Sequence, residues 1–159
     1  MKTIGSTLIL TAMLFIFITS NVYSQETPDE LCARLKALRK EQGKPEEAIE
    51  FFRKSLKIEE KRGDRNAQAI RWNNLGLAHQ DLGNDLLAWE YYQKAKKQNE
   101  AAENFAGLAD NWNNLGSIYE SRKDRPRALE AYQNALELDK KIENSPGIAA
   151  DLANIGRVL

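Results

Sequence analysis

The side chains that could do covalent or acid/base chemistry are few. The sequence holds one histidine, His79, and one cysteine, Cys32. A general base needs a substrate proton within reach and a partner that fixes its tautomer, and a nucleophile needs an activating base. The place of His79 in the pattern described below sets it between the two helices of its repeat, which predicts packing rather than a general base or ligand. Cys32 cannot form an internal disulfide, and it recurs in register with two tryptophans, so it reads as a small buried hydrophobe. The chain contains no HExxH, no phosphate-binding glycine loop and no GxSxG. Carboxylates are abundant but sit at helix-surface spacings beside Lys and Arg. Glu50 and Lys54, four apart, form a solvated ion pair and not an acid/base dyad. The expectation is therefore no enzyme, no cofactor and no metal site.

Nucleic acid is excluded on charge. The 159 residues carry 23 basic and 23 acidic side chains, and setting aside Lys2 in the leader leaves 22 against 23, with the signs interspersed. No basic stripe is available to neutralise phosphates.

What the chain offers is hydrogen bonding by amides held in a fixed phrase. Trp72-Asn73-Asn74-Leu75-Gly76 returns forty residues later as Trp112-Asn113-Asn114-Leu115-Gly116, and a weaker copy, Leu152-Ala153-Asn154-Ile155-Gly156, follows after forty more. The other half of the period is also in register, since Ala88, Tyr92 and Ala95 reappear as Ala128, Tyr132 and Ala135. Projected back, the frame lands on Cys32, Leu35, Ala48, Phe52 and Ser55. Self-similarity at a fixed period marks a solenoid, in which each unit buries its apolar face by stacking on a neighbour.

The elements that position these amides are helices. Apolar residues run at helical spacing from Leu31 to Leu38, Gly43-Lys44-Pro45 closes that stretch, and a second helix from Pro45 places Ala48, Ile49, Phe52, Leu56 and Ile58 on one face. It is expected to stop near Gly63-Asp64, with Asn104 and Asn144 in the same frame as further helix stops. The next pair spans about Asn66 to Leu82 and Asp85 to Glu103. In the third unit Asp124 is the expected N-cap, with Pro126 in the first turn, and Pro146 opens a last helix.

Trp-x-x-Leu-Gly-x-x-Tyr followed by Ala-x-x-x-Tyr-x-x-Ala resembles the tetratricopeptide repeat. Trp112, Leu115, Gly116, Tyr119, Ala128, Tyr132 and Ala135 carry the resemblance in full, and the second unit differs only in having His79 for Tyr. The first unit departs further, with Cys32, Lys36 and Arg39 at the Trp, Gly and Tyr places. The usual repeat has 34 residues and ends in Pro; the six additional residues here lengthen each helix pair by roughly 9 Å. The resemblance implies an all-α fold, an α-solenoid of antiparallel helix pairs forming a right-handed superhelix, with repeats at 29–68, 69–108 and 109–148 and a partial fourth at 149–159.

It also implies a concave groove that takes an extended peptide or a helix. By helical geometry the side chains pointing away from the partner helix are Asn73, Leu77 and Gln80, then Asp110, Asn113, Ser117 and Glu120, then Ala153 and Arg157. Asn73 and Asn113 have two possible roles, reaching a ligand backbone or bridging neighbouring repeats, and Asn74 and Asn114 read as bridges. The expected function is a protein-binding scaffold; the alternative is the extracytoplasmic input domain of a larger signalling protein such as a sensor histidine kinase. Trp72 and Trp112 are expected to be buried.

Residues 1–24 read as a signal peptide. Lys2 precedes an apolar run from Leu8 to Ile18, and Val22 and Ser24 suit signal peptidase, which predicts Gln25 as the first mature residue, a short linker at 25–28 and an exported protein, periplasmic or secreted. Retention of the leader as a membrane anchor is the other reading. The last helix carries Ile148, Leu152, Ile155, Val158 and Leu159, and the expectation is that Ile155, Val158 and Leu159 need a helix beyond Leu159 to cover them.

Overall fold

Helix and stop alternate every twenty residues. The computed structural model describes residues 45–159, so the leader, Gln25 and Cys32 lie outside the described residues. Within them are six helices and no strand: α1 (Pro45–Arg62), α2 (Arg65–Asp81), α3 (Asp85–Ala101), α4 (Phe105–Ser121), α5 (Arg125–Lys141) and α6 (Ser145–Val158). Each packs on the next in sequence, and α2 also touches α4. This is an all-α solenoid of helix pairs, with α2, α4 and α6 forming one layer and α1, α3 and α5 the other.

The stops share one chemistry. Gly63, Gly83, Glu103, Lys123 and Glu143 all have positive φ, between 52° and 72°. The following amide in each case reaches back to the carbonyl five residues earlier, as in Asp64 N to Glu59 O (3.1 Å) and Asn144 N to Asp139 O (2.9 Å). These are left-handed helix terminations that satisfy otherwise orphaned carbonyls. Asp64, Asn104 and Asn144, expected as helix stops, instead have negative φ and stand at the start of the next helix. The Asp64 side chain accepts from Ala67 N and that of Asn104 from Gly107 N. A short polar side chain satisfies an exposed first-turn N–H, a role that needs extended backbone and not the left-handed region. Asp124 caps α5 as expected, accepting from Arg127 N.

The core is built from the residues that recur. Ala88, Tyr92, Leu115 and Ile118 form one cluster, with Leu77, Trp89, Trp112 and Tyr119 against its rim; Ala128, Tyr132 and Val158 form the next, flanked by Tyr119, Leu129 and Ile155. Gly76 and Gly116 let the tyrosines in, because a Cβ on Gly116 would lie 2.6 Å from Tyr132 Cε1. One expectation fails here, and a second holds only for Leu159. Trp72 and Trp112 are only half-buried, with the Lys96 ammonium over the Trp112 ring at 4.4 Å. Val158 is buried and Ile155 packs beside it, since the final turn of α6 folds onto α5; Leu152 and, just past the helix, Leu159 are large apolar residues left exposed.

Candidate peptide-binding surface

The α2–α4–α6 layer carries the groove candidates, and hydrogen bonds tie it together across repeats. Gln80 Nε2 donates to Ser117 Oγ (2.9 Å), while Gln80 Oε1 accepts from the Tyr92 hydroxyl (2.8 Å). One repeat on, Glu120 Oε2 accepts from the Tyr132 hydroxyl (3.0 Å) and from Arg157 Nη2 (2.9 Å). Burial and the Glu120 carboxylate push the Tyr132 hydroxyl up to about 12, so it stays a donor at any physiological pH. The tyrosines thus serve two purposes: the ring fills the space beside a helical glycine and the hydroxyl fixes a groove side chain. Their repeat position marked them for packing; their reach to the groove was not evident from spacing.

Asn73 and Asn113 bridge repeats. Asn73 Oδ1 accepts from Asn111 Nδ2 (3.0 Å) and Asn114 Nδ2 (2.8 Å). Asn113 Nδ2 donates to Asp151 Oδ1 (2.6 Å), and its own oxygen accepts from Asn154 Nδ2 (3.2 Å). Of the two roles open to these asparagines, the bridge is the one the structure makes. Leu77 lies half-buried against the core, and Asp110 is exposed at the α4 surface. Ala153 is exposed on α6.

A cleft of about 490 Å3 lies between α2 and α3, lined by Gln68, Trp72, Lys94 and Gln98 among others, and two more open beside α4 and α6. One cleft of about 340 Å3 is lined by Ser117, Glu120, Ser121 and Arg157. Beside it Glu120, Lys123, Arg125, Arg157 and Val158 line another of about 410 Å3. The Glu120–Arg157 pair stands between them, with the arginine side chain 58% and the glutamate 32% exposed. An ion pair this wet contributes little to stability, and its charges are accessible to an incoming ligand.

His79 is buried and stacks on Tyr91 of α3, ring centroids 5.4 Å apart. Both its nitrogens lack hydrogen-bond partners, and burial, followed by the charge of Arg53, holds its pKa below the usual histidine value. Among the described residues no group of three or more His, Cys, Asp and Glu is arranged to hold a metal, and no helix is long and apolar enough to cross a membrane.

A layered solenoid of paired helices with amides along one face defines a repeat scaffold. The tetratricopeptide repeat signature matches residues 32–62, 69–102 and 109–141, and the chain belongs to that family. Its fold is similar to that of BtubC (BKLC) from P. vanneervenii, with TM-score 0.70 and 25% identity over 84% of this chain and 57% of that one. It is also similar to a Podosopora anserina protein of kinesin light chain type with nearly identical TPR-like repeats, at TM-score 0.69 and 17% identity over 84% and 67%. The chain therefore spans little more than half the length of BtubC. Among curated proteins none matches the sequence. Tetratricopeptide repeats are generally protein-interaction scaffolds, typically without enzymatic activity.

Proposed function

We propose that this protein binds a peptide or a helix of a partner protein along the α2–α4–α6 layer, chiefly at the α4–α6 clefts. The observation that supports this reading is the Ser117–Glu120–Arg157 constellation: two charges of opposite sign and a hydroxyl, held in position by Tyr132 and Gln80, flanked by open volume on both sides. A peptide main chain presents alternating donors and acceptors, and Glu120 and Arg157 supply one acceptor and one donor for it. The asparagines hold the repeats in register and so set the curvature of the layer.

The reading is tested by selecting peptides on the full chain from a random display library, then measuring the affinity of the best binder. Arg157→Ala should weaken it at least about tenfold, in line with loss of a charge-assisted hydrogen bond. Gln133→Ala, at an exposed position of α5, should leave it unchanged. Equal affinities for all three proteins would place binding elsewhere.

A further inference from the structure

Each junction between one repeat and the next buries a pair of polar residues at the same two places. In chain order the pairs are Glu59 with Arg71, Asn99 with Asn111, and Asp139 with Asp151, and every one of the six is at most 4% exposed. The first pair is of opposite charge. The second is a pair of amides, with Asn99 Nδ2 donating to Asn111 Oδ1 at 2.7 Å. The third consists of two acids, and two buried carboxylates have no donor to exchange.

The surroundings of the acid pair do not neutralise it. Asn144 Nδ2 donates to Asp139 Oδ1 (3.1 Å) and Asn113 Nδ2 to Asp151 Oδ1 (2.6 Å). Asp151 Oδ2 is buried with no donor. The charged groups that act on Asp151 are Asp139 of α5 and Asp110 of α4, both acidic. Gly147 of α6 makes room for the Asp139 carboxylate, since a Cβ there would overlap it.

We propose that Asp139 and Asp151 share one proton, and that this proton sets how firmly α6 docks on the array, more firmly in mildly acid solution than at neutral pH. With the proton in place one acid donates to the other and the pair does what Asn99 and Asn111 do one repeat earlier. Without it, two like charges face each other out of water. The sign follows from linkage. Burial first, then the charge of and hydrogen bond to Asp139, lift Asp151 from the ordinary 3.8 to about 6 against the opposing Asn113 bond. The docked state therefore holds a proton that the undocked state has released, and docking weakens as pH rises through this window.

The test is amide hydrogen exchange on the full chain near pH 5 and near pH 7.5, expressed as protection factors so that the intrinsic pH dependence of exchange cancels. A carboxyl moving from 3.8 to about 6 makes amides 148–156 about tenfold better protected at the acid value, while α2 and α3 lack this gain. D139N/D151N, which installs the amide pair of the preceding junction, should give α6 a protection that no longer rises in acid. The single change Asp151→Asn, which supplies a donor to Asp139, should do the same and serves if the double variant does not fold. Wild-type α6 protection equal at the two pH values, or an acid gain that survives these substitutions, overturns the proposal. His79, whose pKa burial lowers, sits in α2 against α3, so it does not affect the reading at α6.

Discussion

Gly116→Ala and Gly156→Ala change the same place in successive repeats and should act in opposite directions. In α4 the new methyl would stand 2.6, 2.8 and 2.9 Å from Cε1, Cδ1 and Cζ of Tyr132, far inside an ordinary carbon contact of about 3.5–4.0 Å. The ring has nowhere to go, because Tyr132 is 1% exposed and its hydroxyl is tied to Glu120 at 3.0 Å. Overpacking of this kind costs about 1–3 kcal/mol, against a helix-propensity gain for Ala over Gly of up to about 1 kcal/mol. With the full propensity gain subtracted, the variant should still be less stable by up to about 2 kcal/mol. Gly156 has no atom within 4 Å of the corresponding Cβ position, so only the propensity gain remains, reduced by its place in the last turn of α6. Urea unfolding followed by far-UV circular dichroism measures both. Equal shifts for the two variants would refute the claim that tyrosine packing, not local backbone demand, keeps glycine in the repeat.

Asn73→Ala should destabilise by about 1–3 kcal/mol, because the buried Asn111 amide and that of Asn114 lose their shared acceptor; an unchanged urea midpoint would argue against the inter-repeat bridge. Lys123→Gly should stabilise by about 0.5–1 kcal/mol by relieving a side chain held at φ 60° in the left-handed region, read from the same urea curves. His79 contributes stability that is complete above its ordinary value of 6.5 and is lost as pH falls through the lowered folded value, since the unfolded chain takes up the proton first. His79→Phe should flatten that acid limb in a series of melting temperatures, and a limb that persists would assign it to other groups. N-terminal sequencing of exported protein should begin at Gln25, whereas an intact Met1 on membrane material would favour the anchor.

The forty-residue phrase made the helix pairs and their stops legible, because glycine, proline and small polar residues at fixed offsets act locally. Assigning the stop to Asn104 and Asn144 was off by one residue. The left-handed position falls to Glu103 and Glu143, which carry no local signature, while Asn104 caps the next helix through its side chain and Asn144 donates to Asp139. The tryptophans misled for a related reason: a large aromatic in a repeat motif implies burial, yet Trp72 and Trp112 lie at the rim, Trp112 under the Lys96 ammonium and Trp72 in the wall of a cleft. At the groove, period and helical geometry identified Gln80, Ser117, Glu120 and Arg157 as one layer. They could not show that Tyr92 and Tyr132 reach into it, since that depends on distances between helices. The Asp139–Asp151 pair was visible only by comparing polar residues, not apolar ones, across the frame.

The central claim is that the α2–α4–α6 layer is the binding face, and photo-crosslinking tests it most directly. A benzophenone side chain introduced at position 153, exposed on α6 of that layer, or at position 133, on α5, is irradiated with a selected peptide bound. The account predicts an efficient crosslink from position 153 and none above background from position 133. A crosslink from position 133 with none from position 153 would put the partner on the opposite layer and contradict the account.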